Sequence, residues 1–148
     1  MNRTLRRELE ELTLVAAGAI PGALLRWQLD GFGTGWTGAL QGLVGANLMA
    51  NLLGCLLIGV LLGRPRPATR LVLWGAIGFC GSLTTFSSWM LELVLALDRG
   101  APLAALGMLL LSLLGGLALV SAGQALGRLG LRLTSSTRAA GRARGEER

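Results

Sequence analysis

Residues 75–92, GAIGFCGSLTTFSSWMLE, gather side chains suited to handling something hydrophilic inside an otherwise apolar chain. The hydroxyls of Ser82, Thr84, Thr85, Ser87 and Ser88 can each donate and accept hydrogen bonds. Phe86 and Trp89, three apart on one helical face, add ring edges of partial positive charge. Upstream, Asn47 and Asn51 lie one turn apart and present two amides on a common face. Uncharged donors beside ring edges can line a path for an anion. Each residue also has a plainer reading: amides as interhelical glue, rings as packing, and Ser112, Ser121 and Gln124 of a later span as structural. No nucleophile–base pair or cofactor loop occurs, so enzyme chemistry is not expected. Cys55 and Cys80 are read as small buried hydrophobes, and the chain has no histidine to complete a metal set.

The elements that must position these residues are membrane helices. The chain has 148 residues, 52% of them hydrophobic, and a mean hydropathy of +0.59. Residues 31–63, 71–91 and 100–127 carry no charge, and 12–29 carry only Arg26. Each of the three uncharged runs exceeds the roughly 20 apolar residues that cross a bilayer. The reading is four spans, at about 12–29, 40–63, 71–97 and 102–127, between a charged N-terminal tail (1–11) and a basic, disordered C-terminal tail (128–148). Glu8, Glu10 and Glu11 before the first span argue against a cleaved signal peptide. Pro21 should bend the first helix by removing one ladder bond, and Pro102 suits the first turn of the fourth. The pairs Gly18/Gly22, Gly38/Gly42, Gly59/Gly63 and Gly123/Gly127 have the spacing that lets helices approach closely in lipid. Four short helices enclose little interior, so oligomerisation is expected.

Charge sets topology rather than nucleic-acid binding, because the arginines flank spans. With four spans, Arg3, Arg6 and Arg7, Arg64, Arg66 and Arg70, and the six arginines from Arg128 to Arg148 share one side, 12 in all, against Arg99 on the other. Both termini should be cytoplasmic. Arg26 is the one cation within a span, where an unpaired arginine at mid-bilayer costs about 2.5–3.5 kcal/mol or more. Near its helix end it can snorkel or line a vestibule that attracts anions. Carboxylates are nearly absent from the spans. A proton-coupled small drug exporter, which would need one in the first span, is therefore the weaker alternative.

Three motifs carry a resemblance to the Fluc (CrcB) fluoride channels over nearly all of residues 12–127. Gly18-Ala-Ile-Pro-Gly-Ala-Leu-Leu-Arg26-Trp27 is similar to the family's first-helix GGxxGAxxRY, and Asn51-Leu-Leu-Gly54 followed by Gly59 to VNxxGxxxxG. Gly78-Phe-Cys-Gly-Ser-Leu-Thr-Thr-Phe-Ser-Ser-Trp-Met-Leu-Glu92 resembles GFCGGxTTFSTFSxE. The resemblance implies an all-α membrane protein of four transmembrane helices, the third broken mid-membrane, in an antiparallel dual-topology dimer with two fluoride pores. It implies passive efflux of dehydrated fluoride across a bacterial inner membrane. It implies a structural sodium ion at the dimer interface, held by backbone carbonyls at Gly81 and Thr84. Pore residues then fall at Phe86, Trp89, Asn51, Ser87, Ser112 and Asn47, and the vestibule residues at Arg26 and Glu92.

Four positions depart from the family pattern: Trp89 for phenylalanine, Asn47 for threonine, Met108 for tyrosine and Ser82 for glycine. Trp89 is larger and brings an N–H donor. The arginine asymmetry also conflicts with insertion in both directions. The partner is thus either a second copy or a related chain of opposite orientation, and a non-conducting or partly conducting subunit of such a heteromer is the alternative function.

Overall fold

A computed structural model describes residues 2–33, 45–64 and 67–146, with side chains in those stretches up to residue 130 except at Phe32. Gly38/Gly42, Pro65, Arg66 and most of the loop at 30–39 lie outside the described residues. Every described element is helical. Helix α1 spans Arg3–Gly33 and α2 spans Ala46–Leu62. The third membrane segment is built in pieces: α3 (Thr69–Leu71), a π-helical stretch (Val72–Cys80), α4 (Gly81–Leu83), and α5 (Ser87–Asp98) after a gap. Helix α6 spans Pro102–Glu146.

Three of these stretches, within α1, α3–α5 and α6, are long and apolar enough to cross a membrane, and α2 adds a shorter apolar helix of 17 residues, about 25 Å at the α-helical rise. Large apolar side chains lie outward, as lipid-facing surface requires: Leu103, Leu113, Leu114 and Leu117 of α6, and Ile20 and Trp27 of α1 are all more than half exposed.

Glycine contacts govern how the helices meet. In lipid the drive is van der Waals fit, so backbones must approach closely. A Cβ on Gly18 would overlap the Trp74 carbonyl, and one on Gly22 the Phe79 carbonyl, where α1 packs on the π-helical stretch. A Cβ on Gly59 would meet the Val120 carbonyl, and one on Gly123 the Leu56 carbonyl, where α2 packs on α6. The Ser82 hydroxyl sits at the first seam, where its one proton is shared among the Ala19 carbonyl of α1 at 2.9 Å and the Gly78 and Phe79 carbonyls of its own segment at 2.9 and 3.0 Å.

One expectation at the ends of the chain, that for the C-terminal tail, is corrected. The charged N-terminus is the first turns of α1 itself, supported by i,i+4 pairs Arg6–Glu10 and Arg7–Glu11 at 3.4 and 3.0 Å. The C-terminal tail, read as disordered from 128 onward, is helical through Glu146. Its leucines, alanines and arginines are good helix formers and no proline interrupts them. Pro21 sits inside an unbroken α1. Cys55 and Cys80 are free thiols. The turn from α5 to α6 is closed by Gly100 at φ 71°, with Gly100 N–H bonding the Leu97 carbonyl and Ala101 N–H the Ala96 carbonyl, a glycine-terminated helix end.

Candidate functional site

The helix breaks at Thr84, whose φ of −82° and ψ of 154° are extended. Side chains bond the backbone groups that this break frees. Asn51 of α2 bonds both backbone groups of Thr85: its Nδ2 donates to the Thr85 carbonyl at 2.8 Å, and its Oδ1 accepts from the Thr85 N–H at 2.8 Å. The Thr85 hydroxyl in turn accepts from the Ser88 N–H at 3.3 Å, capping α5. In a continuous helix the Thr85 and Ser88 N–H groups would bond the carbonyls of Gly81 and Thr84. Both are diverted to side chains. Gly54 makes room on the α2 side, since a Cβ there would overlap the Thr84 methyl group.

From the break a thread of polar contacts runs across three helices. Arg26 Nη2 of α1 donates to Ser88 Oγ at 3.0 Å and to Asn47 Oδ1 at 3.3 Å. Asn47 Nδ2 donates to Glu92 Oε1 at 2.7 Å. The thread therefore runs Asn51, Thr85, Ser88, Arg26, Asn47, Glu92. The only in-span arginine and the in-span glutamate are joined through one amide, which offsets the cost of placing both at partial burial. The threonine-to-asparagine departure supplies that amide, an acceptor for the cation and a donor for the anion.

The two rings sit differently. Phe86 is 69% exposed on the single chain, while Trp89 is 7% exposed. Their centroids are 5.8 Å apart with planes tilted by 51°, within the favourable range for aromatic pairs. Trp89 packs with Leu93, Ala105 and Met108 into the apolar cluster between α5 and α6. Ser112 donates to the Met108 carbonyl at 2.8 Å, within its own helix. Ser87 is exposed, and its neighbour Ser88 is the hydroxyl in the thread. Glu92 and Met108 also border a cavity of about 260 Å³ with Gly45, Ala96, Arg99 and Ala104 among its walls.

The structure thus brings Arg26, Asn47, Asn51 and Glu92 into one thread and pairs Phe86 with Trp89. Thr85 and Ser88, which the family motif did not mark as site residues, are the links that join the two asparagines. Their signal was present in the dense hydroxyl run, but which hydroxyl faces inward depends on where the helix breaks. The π-helical stretch had no sequence signal beyond the close glycines Gly75 and Gly78. Such wide turns are rare and are found often at functional sites.

Described elements that are all helical, with outward-facing leucines, three stretches long enough to span a bilayer and a break in one of them, define a polytopic helical membrane protein. The family model described as CrcB-like protein, Camphor Resistance (CrcB), matches residues 13–124. The fluoride-specific ion channel FluC 2 of Parasynechococcus marenigrum (strain WH8102) is 51% identical over 124 residues, 84% of this chain and 86% of its own. FluC 2 of Synechococcus sp. (strain CC9605) is 52% identical over the same length and shares. The fluoride-specific ion channel FluC of Pseudomonas fluorescens (strain Pf-5) is 42% identical over 122 residues, 78% of this chain and 94% of its own. This chain belongs to the CrcB family.

Proposed function

We propose that this chain is a subunit of a fluoride-specific ion channel that lowers cytoplasmic fluoride by passive efflux. The observation that carries this reading is the side-chain-held break at Thr84–Phe86, which sets uncharged donors and two aromatic rings beside each other within a membrane segment. Backbone that leaves the helix at membrane depth survives only when it is buried in protein or lines a polar path. Fluoride is strongly hydrated, so a pore for it must replace water with donors and positive ring edges. Phe86, Trp89, Asn51, Ser87, Ser112 and Asn47 are the proposed pore residues. Arg26 is the proposed vestibule cation, and Glu92 keeps it in place through Asn47. External acid gives HF, which crosses lipid as a neutral molecule and ionises inside, and the channel lets the anion leave down its gradient.

The proposed assembly is an antiparallel dimer in the bacterial inner membrane, with both termini of this chain cytoplasmic by the arginine bias. A sodium ion at its interface fits the residues present. Carbonyl oxygens suit a hard cation, and the N–H groups that would occupy the Gly81 and Thr84 carbonyls are taken by Asn51 and Thr85 side chains. Gly81 is exposed, with nothing within 4 Å of where a Cβ would sit. Sodium would tie the two subunits together and place positive charge near the anion paths.

Growth of a fluoride-hypersensitive bacterium tests the function: expression of this chain should restore growth in millimolar fluoride, and failure to do so at normal membrane abundance would count against it. The arginine asymmetry favours a second reading of the partner, a related chain of opposite orientation. Cysteine labelling at Thr34 and Ser135 decides it. Each position reached from one side only supports single orientation, and both reached from both sides supports a homodimer.

A further inference from the structure

Among the described residues, the one buried side-chain donor with no hydrogen-bond partner is the indole N–H of Trp89. A buried N–H left unpaired costs about 1–3 kcal/mol, so it calls for a partner. The protein around it supplies none. Trp89 is 7% exposed and lies among Leu93, Ala105 and Met108. These side chains offer no acceptor stronger than a thioether. The partly buried donors near the break are engaged: Asn51 with Thr85, Asn47 with Glu92, and Ser112 with Met108. The second unpartnered buried atom, Glu92 Oε2, is an acceptor and lies three residues further along α5. It belongs to the polar thread and would repel an anion.

We infer that the Trp89 indole N–H is a hydrogen-bond donor to the permeating fluoride and a specificity-determining contact of this chain's pore. The inference rests on the channel reading. An indole N–H can only donate, so the partner that completes it is an acceptor brought in from outside. Phe86, 5.8 Å away by centroids, adds a ring to the same place. A small anion of high charge density gains most from one fixed donor in a dry, tightly packed site. A larger halide reaches the N–H less closely and gains less. The donor comes from α5 itself, across from a fourth-helix position where Met108 has no hydrogen to give.

The test is indole ¹⁵N–¹H spectroscopy of the full chain in lipid nanodiscs. The chain has four tryptophans, so four indole signals are expected. Trp89→Phe assigns its signal by loss. Should that variant fail to fold, Trp27→Phe, Trp36→Phe and Trp74→Phe assign it by elimination. Sodium fluoride should move the Trp89 signal downfield in a saturable way, and sodium chloride at the same concentration should not. A Trp89 signal unmoved by fluoride, or moved equally by chloride, overturns the inference. Fluoride efflux from liposomes made with the same preparation separates the two layers. Efflux with an unmoved signal removes only the Trp89 donor, whereas no efflux at all refutes the channel reading for this chain.

Discussion

Replacing Asn51 by alanine should release the broken segment from α2. The wild-type amide makes two bonds to the Thr85 backbone, both at 2.8 Å. At a net value of about 1 kcal/mol for each neutral bond, the pair contributes about 2 kcal/mol. That is about thirtyfold in the equilibrium between held and released states. Amide exchange at Thr85 reads this directly, because its N–H is bonded to the Asn51 side chain. Protection of Thr85 should fall by about thirtyfold in Asn51→Ala, while amides of the Val72–Cys80 stretch, which packs on α1, should change far less. Fluoride flux should fall together with Thr85 protection. Unchanged exchange at Thr85 would show that the break is held by backbone packing alone and would refute the role given to Asn51.

The remaining predictions follow the same contacts. Gly123→Ala should destabilise the subunit by about 1–3 kcal/mol, read as a lower midpoint in detergent denaturation, because its methyl would meet the Leu56 carbonyl. Gly81→Ala should leave that midpoint unchanged, since nothing lies within 4 Å of its Cβ position, yet weaken dimerisation; a lowered midpoint would contradict the open face. Asn47→Ala should cut fluoride flux by about tenfold or more, because it removes hydrogen bonds to Arg26 and Glu92, each worth about 1.5–3 kcal/mol when a charged group is involved; Asn47→Thr, whose hydroxyl can also donate and accept, should retain more. Exchange of sodium for a large organic cation should lower the dimer's thermal stability, measured by cross-linking after heating, and an unchanged profile would argue against the sodium site.

The spans and the close helix seams could be read from the chain because both are local patterns: uncharged runs of fixed length, and glycines four apart that indeed face backbone carbonyls at Gly18, Gly22, Gly59 and Gly123. A break in the third helix was legible through the family resemblance, and it falls at Thr84–Phe86. What the break does to its neighbours was not. That Asn51 binds backbone at Thr85, and that Asn47 lies between Arg26 and Glu92, depends on contacts between residues 21 to 45 positions apart. Trp89 and Phe86 look equivalent by spacing, yet one is buried against α6 and the other stands exposed, a difference that arises only when α6 folds back past Gly100. The C-terminal residues were misjudged because polar composition was weighed above helix propensity.

Halide release from liposomes containing only this chain decides most directly whether it conducts. Valinomycin is added to carry potassium and balance charge. Fluoride should leave quickly once valinomycin is present, and chloride should stay inside. Fluoride retention equal to that of protein-free liposomes, or chloride release at a comparable rate, would contradict the assignment.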